Sequence, residues 1–130
     1  MQFTSVKETI LYIKDTDRTE AFYHGKLGLP IITKVEGHHI FFRAGTSVLL
    51  CFIASNSRKK KHLPAHYGEG KLHYAFECKF EEYEAWKQKF IDLGIPITHE
   101  QGWRDDKVKS FYFEDPDGNV GEVLQPGLWD

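Results

Sequence analysis

In the run Val120-Gly-Glu-Val-Leu a carboxylate stands among apolar residues, and strand alternation puts Val120, Glu122 and Leu124 on one face. Either that face is open to water and Glu122 is solvated, or the carboxylate is buried and needs a cation or a metal beside it. His73 opens another strand-like run, His73-Tyr-Ala-Phe-Glu-Cys-Lys, where an imidazole is either a hydrogen-bonded core group or a ligand. Trp103 and Arg104, next to Asp105 and Asp106 in the turn-rich segment from Gln101 to Val108, offer a ring and a cation to a planar or anionic ligand. His62, His66 and Tyr67 lie in the polar segment before His73, and His38 and His39 lead a further strand. These are solvated unless the fold closes them over a ligand. Cys51 and Cys78 sit in apolar runs without metal spacing or the flanking pattern of an activated thiol, so they read as small buried hydrophobes.

The elements that must hold these groups follow from local pattern. Asp115-Pro-Asp-Gly-Asn is strong turn chemistry, because Pro sets φ, Asp and Asn tolerate tight turns and Gly supplies positive φ. It joins strands Lys109 to Glu114 and Val120 to Gln125 in a hairpin. Leu27-Gly-Leu-Pro-Ile-Ile-Thr and Leu93-Gly-Ile-Pro-Ile-Thr are copies of one another about half the chain apart. Ahead of each lies a helix. The first opens at Asp15 or Asp17, with Glu20 placed as in a capping box, and carries Ala21, Phe22, Tyr23 and Leu27. The second runs from about Glu81 to Leu93 with Tyr83, Trp86, Phe90 and Leu93 on one stripe. Gly28 and Gly94 end them. Strands Glu8 to Lys14 and His73 to Lys79 precede the helices; Ile31 to Val35, His39 to Arg43 and Ser47 to Ala54 follow the first helix, and Ile95 to Glu100 follows the second. Each half is βαβββ.

With 130 residues, 41% hydrophobic and 15% aromatic, the chain supports one domain, or two small modules sharing a core. A net charge of −2 and a pI near 6.4 argue against nucleic acid or membrane as the main partner. The one basic run, Arg58-Lys-Lys-Lys61, is a solvated loop or an attractor for an anionic ligand. Nothing resembles a signal peptide or a spanning helix, so a cytoplasmic location is expected.

Paired βαβββ modules, together with Asp15-Thr-Asp-Arg-Thr-Glu-Ala-Phe-Tyr before Leu27-Gly-Leu, Gly70-Lys-Leu-His-Tyr-Ala-Phe and Phe113-Glu-Asp-Pro-Asp-Gly-Asn-Val-Gly-Glu-Val, resemble the vicinal oxygen chelate superfamily. That group takes in glyoxalase I, the fosfomycin resistance proteins, bleomycin-binding proteins and extradiol dioxygenases. The likeness covers nearly the whole chain. It implies an α+β fold in which each βαβββ module is a cup-shaped half-barrel, a single domain over residues 1–130 built from repeats at about 5–55 and 70–127, and a homodimer whose cups are completed by opposite chains. It also implies metal ligands on the first and last strands of each half: Glu8, the neighbourhood of Leu49, His73 and Glu122. Leu49, Leu50 and Cys51 offer no carboxylate at the second place, so the pattern is that of three ligands, Glu8, His73 and Glu122.

One imidazole with two carboxylates suits Mn²⁺, Fe²⁺, Ni²⁺ or Zn²⁺ and leaves places open for water or a chelating substrate. It does not match the two-His, one-carboxylate triad of iron oxygenases, which disfavours extradiol cleavage. The expected function is a metal-dependent lyase, isomerase or transferase acting on a small oxygen-bearing metabolite or antibiotic. Glu122 is then both ligand and catalytic group, with Trp103 and Arg104 against the substrate. The alternative is a metal-free protein that sequesters an aromatic or drug-like molecule.

Overall fold

The computed structural model describes residues 1–130 and divides the chain into two compact modules, Met1–Gly70 and Lys71–Asp130. In the first, β1 (Glu8–Ile13) leads into α1 (Thr16–Glu20), which continues as a wider π-helical turn over Ala21–Lys26. Then come β2 (Ile31–Val35), β3 (His39–Ala44), β4 (Ser47–Ile53) and one helical turn, α2 (Ala54–Ser57). The sheet order is β1-β4-β3-β2, with β1 parallel to β4 and the other pairs antiparallel. The second module repeats the plan with β5 (His73–Glu77), a 3₁₀ turn at Phe80–Glu82, α3 (Tyr83–Asp92), β6 (His99–Trp103), β7 (Val108–Glu114) and β8 (Val120–Leu124), in the order β5-β8-β7-β6. Both modules are therefore βαβββ, as the repeat predicts.

Local chemistry explains the helix boundaries. The Asp15 carboxylate accepts from the Asp17 and Arg18 amides at 2.8 and 3.1 Å, so Asp15 rather than Asp17 is the cap, worth about 1 kcal/mol. The repeated glycines, Gly28 at φ 77 and Gly94 at φ 73, take the left-handed conformation that ends each helix. The strand expected at Ile95 to Glu100 begins later, at His99. Ile95 spends its amide on the Phe90 carbonyl at the helix end, and Pro96 has none to give, so ladder pairing starts only beyond them. Trp103, expected in a connection, is the last residue of β6, paired with Val108. The turn proper is Arg104, Asp105 and Asp106, all at positive φ.

One face of each sheet packs on its helix. In the first module Leu11, Ile40, Phe42, Leu49 and Cys51 are buried with Phe22 and Tyr23. The second buries Tyr74, Phe111, Phe113 and Val123 under Tyr83 and Phe90, with the Phe90 ring 5.0 Å from Phe111 and 4.8 Å from Phe113. Gly121 lies in register between Tyr74 and Phe113, and a Cβ there would stand 2.2 Å from the Phe113 ring. Gly121→Ala should therefore destabilise the protein by about 1 to 3 kcal/mol, as overpacking of a closed core does. A denaturation midpoint unchanged from wild type would show that Phe113 has room to move.

Candidate metal centre

The other face of the second sheet carries the chemistry. Parallel pairing sets His73 opposite Val120 and Ala75 opposite Glu122, so His73 and Glu122 are diagonal neighbours on the same face. The turn Asp115–Asn119 holds that register. The Asp115 carboxylate accepts from the Asp117 and Asn119 amides and from the Asn119 side chain, all at 2.9 Å, while Asn119 Oδ1 accepts from the Leu72 amide at 3.1 Å. The Asp-Pro-Asp-Gly-Asn motif thus does more than reverse the chain: it clamps the start of β5 next to the start of β8.

The Glu122 side chain is 7% exposed and that of His73 is 52% exposed. The solvated alternative for Glu122 is excluded, and so is the buried-core alternative for His73. His73 Nδ1 lies 2.9 Å from the Val120 carbonyl, which can only accept, so Nδ1 carries the proton of the neutral imidazole. Its Nε2 lone pair then points to Glu122 Oε1 at 3.3 Å. Two acceptors face each other, an arrangement that calls for a cation between them or a second proton on the ring. Glu122 Oε2 is buried with no hydrogen-bond partner at all. Donors that share one ion at about 2.0 to 2.2 Å from it stand roughly 3 Å apart, so the observed spacing and the orphaned oxygen both fit a metal.

Two neighbours escaped the sequence reading. Tyr112 pairs with Glu122 across the hairpin and its ring stacks on His73, with centroids 6.0 Å apart. Burial first, then the Glu122 carboxylate beside it, pushes the Tyr112 phenol above its ordinary value. His99 lies on the far side of Tyr112, 5.5 Å away between centroids. Tyr112 was within reach of the sequence, because counting outward from the Asp115 turn pairs it with Glu122. His99 was not, since its register depends on where β6 starts.

Trp103 and Arg104 do not join this pair. The Trp103 indole donates to Ser110 Oγ at 3.0 Å, and the Arg104 guanidinium donates to the Leu128 carbonyl at 2.9 Å. Glu8 opens β1 of the first module and is exposed, the position equivalent to His73, since Glu8 pairs with Val48 as His73 pairs with Val120. The same register identifies Leu50, opposite Ile10, as the counterpart of Glu122, which resolves the ambiguity among Leu49, Leu50 and Cys51. No three His, Cys, Asp or Glu side chains of one chain gather at a point. No helix is long and apolar enough to cross a membrane.

The family model for the glyoxalase/bleomycin resistance protein/dioxygenase superfamily matches residues 5–123. Among solved structures, a lactoylglutathione lyase from Agrobacterium tumefaciens superposes with a TM-score of 0.93 at 34% identity, covering 99% of this chain and 98% of that one. The glutathione transferase FosA of Serratia marcescens is 27% identical over 124 residues, 92% of this chain and 79% of that protein. The metallothiol transferase FosB of Bacillus licheniformis is 23% identical over 125 residues, 96% and 77% respectively.

Proposed function

Because the chain belongs to the glyoxalase/bleomycin resistance protein/dioxygenase superfamily, we propose that it is a divalent-metal-dependent enzyme acting on a small oxygen-bearing molecule by isomerisation, elimination or nucleophilic addition. The observation that carries the reading is His73 Nε2 standing 3.3 Å from a buried carboxylate, Glu122, whose other oxygen has no partner. The relatives named as a lyase and as transferases support an enzyme of this kind.

His73 and Glu122 would hold the ion, with Glu8 of the partner subunit as third ligand. Mn²⁺, Ni²⁺, Zn²⁺ and Fe²⁺ suit one imidazole and two carboxylates, and such an ion would supply Lewis acidity to a carbonyl or hydroxyl oxygen. The protein's own groups divide the remaining work. Glu122 is the carboxylate of this face that would take a proton from a substrate carbon or hydroxyl. Tyr112, whose phenol is held above its ordinary pKa by burial and by the Glu122 carboxylate it hydrogen-bonds, would steady that carboxylate beside the substrate. Trp103, its N–H committed to Ser110, and Arg104, held on the Leu128 carbonyl, would meet the outer end of the substrate.

Calorimetric titration of chelator-stripped protein with Mn²⁺, Ni²⁺ and Zn²⁺ should show about one ion per chain. Absence of saturable binding tighter than about 0.1 mM, which corresponds to only about 5.5 kcal/mol, would overturn the proposal in favour of metal-free sequestration. Assembly is a separate expectation. Sedimentation should give about twice the 15.1 kDa chain mass, as the superfamily's pairing of modules across two chains implies. A monomer at micromolar concentration would remove Glu8 from the set.

A further inference from the structure

The second module carries a cleft on the side of its sheet away from the metal centre. Strand alternation puts Tyr112, the partner of Glu122, on one face of β7, and Lys109 and Phe111 on the other, which α3 covers. On the covered face Glu100 pairs with Phe111 and Gly102 with Lys109. Gly102 has no side chain to fill its row, and a hollow of about 230 Å³ lies there between α3 and the β6–β7 hairpin. The Asp106 carboxylate leans over that glycine, since a Cβ on Gly102 would stand 1.7 Å from Asp106 Oδ1.

The lining is polar and only partly committed. Lys87 and Glu100 pair with one another. Glu84, Asp106 and Lys109 line the same hollow with no ion pair or side-chain hydrogen bond of their own. Tyr83 is 2% exposed, its ring 5.6 Å from Phe111, yet its hydroxyl has no hydrogen-bond partner and borders the cleft. A buried hydroxyl without a partner is uncommon and costly, and a ligand acceptor would relieve it. Burial, and next the Glu100 and Glu84 charges, push the Tyr83 phenol up to about 12, so it keeps its proton and can donate.

We propose that this cleft binds a small free α-amino acid, its carboxylate accepting from Tyr83 and paired with Lys109, its ammonium held by Asp106 and Glu84. Both signs of charge stand uncommitted in one hollow, which suits a zwitterion: a simple anion would face two carboxylates, and a simple cation would face Lys109. The sheet separates the cleft from His73 and Glu122, so the amino acid is an effector and not a reactant at that pair. The proposal does not depend on the metal reading, and its test uses chelator-treated, full-length protein, in which no ion can chelate the amino acid.

The probes are L-serine and its two half-molecules, ethanolamine without the carboxylate and 3-hydroxypropionate without the ammonium, titrated by calorimetry into wild type, Tyr83→Phe, Asp106→Asn and Lys109→Gln. Tyr83→Phe removes a hydroxyl with no protein partner, Asn accepts the positive φ of Asp106, and Lys109 is exposed, so all three variants are expected to fold. Wild type should bind L-serine with a Kd below about 1 mM, and each half-molecule at least about tenfold more weakly. Each substitution should weaken L-serine about fivefold, and Tyr83→Phe should do so with its denaturation midpoint unchanged or raised. Amide shifts on binding should fall on residues 83–87 and 100–109. No saturable binding of L-serine below about 10 mM, half-molecules that bind as tightly as L-serine, a Tyr83→Phe variant that binds it like wild type, or shifts confined to His73, Tyr112 and Glu122 would overturn the assignment.

Discussion

Glu122→Leu is expected to raise the melting temperature of the chelator-treated protein by several degrees, equivalent to about 1 to 2 kcal/mol, and to lose metal binding altogether. The carboxylate is buried and one of its oxygens has no partner, so without an ion the fold carries an uncompensated desolvation cost. The repeat supplies its own control: Leu50 occupies the equivalent register position in the first sheet and is 8% exposed there. A leucine therefore fits this sheet geometry, while His73, half-exposed, can exchange the lost carboxylate for water. Saturating metal should reverse the order. At a hundred times Kd the wild type gains about 2.7 kcal/mol and the variant nothing. Melting curves of both proteins with chelator and with metal check the crossing. A variant less stable than wild type in chelator would mean that Glu122 is satisfied by its protein neighbours alone.

His73→Ala should weaken metal binding at least about a hundredfold, or about 2.7 kcal/mol, and leave the apo fold nearly untouched. The side chain is 52% exposed and gives one hydrogen bond to the Val120 carbonyl, so its removal costs the fold about 0.5 to 1 kcal/mol. A structural histidine behaves the other way, losing stability without losing metal. Comparing the metal-induced rise in melting temperature of the two proteins separates these outcomes. Equal rises would remove His73 from the site, and with it the main support for enzymatic chemistry in the second module.

Much of this molecule is written in short-range pattern. The two helices, their ends at Gly28 and Gly94 and the Asp115 hairpin depend on residues within a few positions of each other, where capping and turn geometry act directly. The βαβββ repeat follows from those elements alone. Glu122 could be singled out because a carboxylate among apolar strand neighbours conflicts with the period of its own strand.

What local pattern could not decide is register between strands far apart in the chain. β1 pairs with β4, and β5 with β8, in parallel across a crossover, so no turn counts off their partners. A slip of one residue would send every side chain to the opposite face, and only packing of the helix-covered face, Leu11 with Cys51 and Phe76 with Val123, excludes it. That packing is what makes Leu50 the counterpart of Glu122, sets His73 Nε2 at 3.3 Å from the carboxylate and leaves Oε2 without a partner. The start of β6 belongs to the same class. Pro96 and the helix end at Ile95 delay the ladder to His99, and tertiary pairing with β7 then brings His99 beside Tyr112. The sequence by itself determined which residues could do chemistry and on which elements they ride; long-range strand pairing, which has no local code, decided which of them meet.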